Sequence, residues 1–222
     1  MNCILCYLPL NLHWGICSQC FQHLPRIISA CSVCGLPLFN KNNSCHHCQL
    51  LKPSWHKLIA VANYQKPFTK LIYQFKSNQK IELSYPLARL MFLAWYDERL
   101  STGLCKPDIV TCVPLHHNRY WSRGYNQSAL LAKHIAYWLG ADFKPFLLKR
   151  KTKSADQKSL SKFQRQKNVE HIFDCETDLM KKTIAVIDDI VTTGSTIDEV
   201  SKQLILRGAL NIQILCLCRT TL

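Results

Sequence analysis

Residues 184–196 read I-A-V-I-D-D-I-V-T-T-G-S-T: an apolar β-branched run, two adjacent carboxylates, then a hydroxyl-rich loop with one glycine. A buried strand ending in Asp188 and Asp189 would set hydrogen-bond acceptors at the carboxyl edge of a parallel sheet, where open α/β sheets hold ligands. Thr192, Thr193, Gly194, Ser195 and Thr196 follow and open an amphipathic segment. Hydroxyls and backbone N–H groups at a helix N-terminus suit a phosphate, and Gly194 allows close backbone approach to it. Acceptors for sugar hydroxyls beside a nest for an anion imply a ribose 5-phosphate pocket. The G-x-x-x-x-G-K-[ST] pattern of a P-loop does not occur here.

A second chemistry lies at the N-terminus. Eight of the 13 cysteines form four C-x-x-C pairs, Cys3/Cys6, Cys17/Cys20, Cys31/Cys34 and Cys45/Cys48, recurring every 14 residues. One knuckle brings two sulfurs to an ion from a single turn, and two knuckles complete a tetrahedron. Two structural Zn²⁺ are expected, the first two pairs making one site and the last two the other, although interleaved pairing would also give four ligands per ion. Cys34-Gly35 carries a glycine where the backbone turns toward sulfur. With eight thiolates present, His13, His23, His46 and His47 are not needed as ligands. All-cysteine sites are closed to water, so this module is structural or a platform for a partner rather than catalytic. Cys105, Cys112, Cys175, Cys216 and Cys218 sit among apolar neighbours and read as small core residues.

The remaining pattern supplies a frame for these groups. Residues 57–64 read as a strand, followed by a helix opening at Pro67 and running through Phe75. Residues 82–100 have helical periodicity. Residues 108–113 form a short buried strand, and 126–139 a helix that Asn126 or Ser128 could cap and Gly140 stops. Strand, helix and strand follow over 183–187, 195–206 and 210–218. Alternation of this kind predicts a parallel sheet with helices on its faces. The expected division is a zinc module over 1–54 and an α/β domain over 55–222.

The formal charge is +14. Two zinc–tetrathiolate sites, each carrying about −2, lower it to about +10. Residues 1–57 hold four cationic side chains and no acid, so the zinc sites cancel them and the positive excess belongs to the rest. It concentrates in 149–167, where Lys149, Arg150, Lys151, Lys153, Lys158, Lys162, Arg165 and Lys167 face one Asp156. Such a run suits either pyrophosphate capture or nucleic-acid backbone contacts, and Trp121, Tyr125 and Phe163 could stack bases. A solvated face is the plainer reading of a charge run. The N-terminus lacks an export-signal pattern, and no uncharged apolar run approaches the ~18 residues of a membrane span. A reducing, cytoplasmic setting is therefore expected.

Residues 186–196 resemble the phosphoribosyl-pyrophosphate (PRPP) signature of type I phosphoribosyltransferases. There two acidic residues hold the ribose 2- and 3-hydroxyls and a T-T-G-S-T loop wraps the 5-phosphate. By that resemblance Asp188 and Asp189 bind the sugar, and Thr192, Thr193, Gly194, Ser195 and Thr196 the phosphate, with Mg²⁺ accompanying PRPP. Purine-type members often carry an acid four residues beyond the first carboxylate; Thr192 stands there. No segment reads as a base-recognising hood.

Nearly the whole chain is similar to the ComF/GntX family of competence-associated proteins. The matching pieces are the cysteine pairs, V-P-L-H over 113–116, Arg119, R-G-Y-N-Q-S over 123–128, Gln157, Arg165, Asn168, the PRPP loop and the closing C-R-T at 218–220. The resemblance implies a type I phosphoribosyltransferase-like domain behind a double zinc ribbon. It places 113–119 as the pyrophosphate loop, so that His116, Arg119 and Arg123 serve the diphosphate and magnesium side, and sets 149–167 where type I enzymes carry a mobile flap. It also implies a cytoplasmic protein handling single-stranded DNA during natural transformation, with the zinc module docking a DNA-uptake helicase or another competence protein. The alternatives are an active phosphoribosyltransferase acting on an unidentified acceptor, and a zinc-dependent regulator binding duplex nucleic acid.

Overall fold

The computed structural model describes residues 2–10, 15–27, 29–38, 45–115, 117–151 and 172–220. Five parallel strands build the main sheet: β1 (Lys57–Asn63), β2 (Ile109–Cys112), β3 (Asp142–Phe143), β6 (Thr183–Val191) and β7 (Asn211–Arg219), in the order β1-β7-β6-β2-β3. A separate antiparallel pair, β4 (Lys149–Arg150) with β5 (Phe173–Asp174), stands beside it. β6 and β7 are buried almost without interruption and mostly apolar, as strands covered on both faces are.

Two helical layers cover the sheet. On one face lie α3 (Phe68–Ser77), α4 (Ser84–Thr102) and α6 (Gln127–Leu139), which deliver Phe75, Leu87, Met91, Leu131 and Ile135 against Val110, Ala185 and Ile187. On the other lies α7 (Ser195–Leu206), with Ile197, Val200 and Leu204 against Ile184, Val186 and Ile214. Helix α5 (His117–Arg123) follows β2. Gly140 ends α6 in the left-handed conformation, as its place after Leu139 predicted. None of the described helices is long and apolar enough to cross a membrane.

The cysteine pairs form two lobes, with short helices α1 (Ser18–Gln22) and α2 (His46–Leu51). The lobes are copies of one another offset by twenty-eight residues. Cys3 N–H to Leu8 C=O (2.8 Å) recurs as Cys31 to Leu36 (2.8 Å), and the bridge Asn2–Pro9 recurs as Ala30–Pro37. The unit is thus a double knuckle, twice the fourteen-residue spacing visible in the sequence. The lobes meet opposite faces of the sheet. Cys3, Ile16 and Leu24 join the core beneath α4, whereas Cys31, Cys34 and Cys48 join the core beneath α7.

One boundary departs from the sequence reading. β6 runs to Val191 rather than ending near Ile187, so both aspartates belong to the strand. Pairing with β7 continues through Asp188–Cys216, Ile190–Cys218 and Val191–Arg219, and that ladder carries the strand past its carboxylates.

Candidate ligand crevice and metal centres

β2 and β6 are neighbours, but their connections leave in opposite directions. From β2 the chain crosses one face by α6 to β3; from β6 it crosses the other by α7 to β7. Crossovers that part in this way open a crevice at the carboxyl ends of the two strands.

Residues 123–128 build one wall. The Asn126 side-chain oxygen caps α6 by accepting from the N–H groups of Ser128 (3.0 Å) and Ala129 (3.4 Å), while its amide donates to the Val113 carbonyl (3.0 Å). One residue thereby starts the helix and holds the segment after β2. Buried Ser128 donates to Asp188 Oδ1 (3.1 Å), which also accepts from the Asp189 N–H (2.9 Å). Arg123 donates to Gln127 Oε1 (3.1 Å), and Tyr125 donates to the Phe75 carbonyl on α3. The motif is a capped helix start that presents Asp188.

The two carboxylates occupy different electrostatic settings. Burial first, then the neighbouring Asp189 charge, pushes the Asp188 carboxyl up to about 7, against the opposing pull of the Asp189 N–H, Lys76 and Ser128. Asp189 is more enclosed by surface area and forms a 2.8 Å ion pair with Lys76 of α3. Lys76 was not legible as a site residue: one lysine at the end of an amphipathic helix gives no signal for a partner far along the chain.

The hydroxyl loop forms the second wall. Thr192, Thr193, Ser195 and Thr196 are exposed and Gly194 is buried. Gly194 adopts φ +89° and heads α7. A Cβ there would lie 3.0 Å from the Trp55 ring, so both conformation and space require glycine. Thr193 Oγ1 and Ser195 Oγ are 2.9 Å apart, which groups two hydroxyls at the helix N-terminus, where the dipole favours an anion.

Behind the loop stands the second cysteine lobe. Fully buried Arg219 donates through Nε to the Cys34 carbonyl (3.1 Å) and through a guanidinium N–H to the Val191 carbonyl (3.1 Å). The Trp55 indole N–H donates to the Val33 carbonyl (2.8 Å), and the Ser54 N–H to Asp198 on α7 (2.8 Å). In the sequence Trp55 belongs to no motif and Arg219 appears only as part of a closing C-R-T, so their joint role had no signature.

The basic residues divide. Arg119 and the aromatic Tyr120 and Trp121 are exposed on α5, and Arg123 is half-buried. Lys149 pairs with Glu176 (2.8 Å), Lys151 with Asp174 (3.8 Å), and Arg150 packs over the Phe173 ring. Burial lowers the Arg150 pKa, and the nearby Arg119 charge adds to that effect against Glu199. These three are therefore partnered rather than free, although exposed ion pairs such as Lys149–Glu176 contribute little. His116, Lys153, Gln157, Lys158, Lys162, Phe163, Arg165, Lys167 and Asn168 lie outside the described residues.

Cys3, Cys6, Cys17 and Cys20 form one cluster and Cys31, Cys34, Cys45 and Cys48 the other, with all sulfurs in each within 4.8 Å of one another. Sequential pairing is therefore observed, not interleaving. Sulfur separations of 3.8 Å (Cys6–Cys17), 3.9 Å (Cys31–Cys48) and 3.5 Å (Cys34–Cys45) fit the edge of about 3.8 Å expected of a Zn²⁺–thiolate tetrahedron. The Cys17 N–H points to Cys3 Sγ (3.4 Å) and the Cys45 N–H to Cys31 Sγ (3.3 Å). Burial raises both acceptor thiols, yet their backbone N–H donors outweigh it, bringing Cys3 to about 6 and Cys31 to about 7. Both clusters can hold a metal ion, and eight thiolates suit zinc.

No protein-family model matches the chain. Full-length relatives do. The DNA utilization protein YhgH of Salmonella typhimurium is 39% identical over 219 residues, 98% of this chain and 96% of that protein. Competence protein F of Haemophilus influenzae is 34% identical over 94% of this chain and 93% of its own length. The chain belongs to the ComF/GntX family. A further ComF relative, competence protein ComFC of Streptococcus pneumoniae, is 28% identical over 92% of this chain and 87% of its own. Among solved structures, the purine phosphoribosyltransferase of Pyrococcus horikoshii has a TM-score of 0.38 at 19% identity, over 60% of this chain and 73% of that one. The AQ2163 protein of Aquifex aeolicus has a TM-score of 0.41 at 13% identity, over 73% and 86%. Neither likeness bears on what the ComF/GntX crevice holds.

Proposed function

We propose that this chain binds PRPP in the crevice between β2 and β6 and uses the basic surface beside it to handle single-stranded DNA in competence-related DNA utilisation. The reading is carried by one observation. Two carboxylates and a glycine-headed hydroxyl loop share the mouth of the switch point, the former in reach of sugar hydroxyls and the latter of a phosphate. Asp188 and Asp189 would accept from the ribose hydroxyls, and the 192–196 loop would donate to the 5-phosphate. Arg119 and Arg123, with His116, would meet the diphosphate by charge-assisted bonds. The carboxylate oxygens are hard donors that suit the Mg²⁺ arriving with the diphosphate, which would neutralise its charge. The names of the relatives, competence protein F and DNA utilization protein, support the DNA half.

Binding rather than transfer is the expected activity. Thr192, an exposed hydroxyl residue, stands where a purine-type transferase often has its acid. Exposed Tyr120 and Trp121 beside Arg119 offer stacking surfaces next to cationic groups, the combination single strands require. We further assign two structural zinc ions to residues 1–54, a cytoplasmic location, and a competence partner docking on the zinc module.

Calorimetry with PRPP and Mg²⁺, with and without a single-stranded oligonucleotide, tests both halves. PRPP should bind the parent and not Asp188→Asn/Asp189→Asn, with no pyrophosphate released. Oligonucleotide binding should weaken steeply with salt, and weaken further when the 149–167 cations are neutralised. Pyrophosphate release dependent on an acceptor would replace the binder with an enzyme.

A further inference from the structure

We infer that metal at the second cysteine centre and anion at the 192–196 loop are thermodynamically linked, while metal at the first centre is not. The anion half rests on the phosphate-loop reading above.

Three ties join the second lobe to the loop. Arg219 spans the Cys34 and Val191 carbonyls at 3.1 Å each, and Val191 directly precedes the loop. Trp55 donates to the Val33 carbonyl at 2.8 Å, and its ring sits at the Gly194 position that heads α7. The Ser54 N–H holds Asp198 in the first turn of that helix at 2.8 Å. Val33 and Cys34 lie inside the Cys31–Cys34 knuckle, so an ion gripping both sulfurs fixes the direction of both carbonyls. Those carbonyls in turn seat Arg219 and Trp55. Arg219 is only 1% exposed, and a guanidinium at that depth has no water to replace a lost acceptor.

The first lobe is placed differently. Its Cys3, Ile16 and Leu24 join the core on the α4 face, and Gly15 lies against Pro86. Among the described residues, no hydrogen bond ties it to 191–198. Two sites with matching ligand sets therefore differ in what their occupancy reaches. Coupling of binding is reciprocal: if the ion orders the loop for an anion, the anion tightens the hold on the ion by the same factor.

The test uses the full chain with both centres zinc-loaded. Excess EDTA strips the metal while release is timed, with and without saturating ribose 5-phosphate, and calorimetry on the same sample reports whether the sugar phosphate binds. The expected result is that one of the two release phases slows about tenfold, a common size of inter-site coupling, and that a Cys6→Ala chain, loaded at the second centre only, keeps the slowed phase. If the sugar phosphate binds and neither phase moves, the linkage fails and the pocket stands. If it does not bind, the pocket reading itself fails. Hydrogen exchange then decides the linkage without any anion. Withdrawing zinc from the Cys6→Ala chain should speed exchange of the 194–198 amides about tenfold; unchanged protection there overturns the inference.

Discussion

Arg219 donates to the backbone carbonyl of Cys34 across 185 positions of sequence, at 3.1 Å and with its side chain wholly enclosed. A charged hydrogen bond of this kind contributes about 1.5–3 kcal/mol, and a buried acceptor left without its donor costs about 1–3 kcal/mol. Arg219→Met strands the Cys34 carbonyl, whereas the Val191 carbonyl keeps the Thr220 backbone N–H at 3.1 Å. The expected loss is about 3–5 kcal/mol, read as a lower urea midpoint with the slope unchanged.

Gly194→Ala sets a Cβ 3.0 Å from the Trp55 ring at φ +89°. The substitution should cost about 1–3 kcal/mol in backbone strain and abolish sugar-phosphate binding. Adding Trp55→Phe relieves the crowding but not the dihedral, so calorimetry should find at most partial recovery in the double variant.

Asp188 titrates near 7, whereas the same carboxyl in an unfolded chain titrates near ~4. The folded state thus holds the proton more tightly between those values. The stability contribution of this group is complete below about 4 and disappears as pH rises through about 7. Ribose-hydroxyl binding should move the other way, because the ionised carboxylate is the better acceptor. Binding of ribose 5-phosphate should therefore strengthen between pH 6 and 8 through a component that Asp188→Asn removes; an identical pH profile in the variant would contradict this.

Lys76 neutralises Asp189 at 2.8 Å and also pulls the Asp188 carboxyl downward. Lys76→Met should therefore shift the Asp188 titration to higher pH, visible by carboxyl-carbon NMR. The optimum for ligand binding should climb with it.

Two Zn²⁺ per chain are expected from the two four-sulfur clusters. Metal analysis of the purified protein checks the number, and Cys34→Ser and Cys6→Ser should each remove one equivalent. A parent stoichiometry of one would overturn the assignment.

Much of the frame was legible because its signals are local. Helix α7 was read at its observed bounds, Gly140 was recognised as the stop of α6, and of the two candidate caps, Asn126 and Ser128, the structure uses Asn126, since caps act within a few residues. The aspartates and hydroxyl loop announced themselves as a cluster of functional groups in one short run. What escaped was non-local. The extension of β6 to Val191 depends on its ladder with β7, and the two-residue strands β3 and β4 exist only through their partners. Lys76, Trp55 and Arg219 reach the crevice through tertiary contacts. The R-G-Y-N-Q-S stretch was visible as a motif, but its leading role proves to be architectural: Asn126 holds the chain after β2, and Ser128 steadies Asp188.

The doubled lobe has one more effect, on how molecules of this protein treat each other. β1 is an outer strand, and an unguarded outer strand invites a neighbouring chain to pair with it. The chain between the lobes answers this by bridging Arg26 to Ala62 on that strand, while the knuckles clasp the sheet margin from above and below like a bulldog clip. Zinc starvation would thus open the clip and bare that margin to pairing with a neighbouring chain.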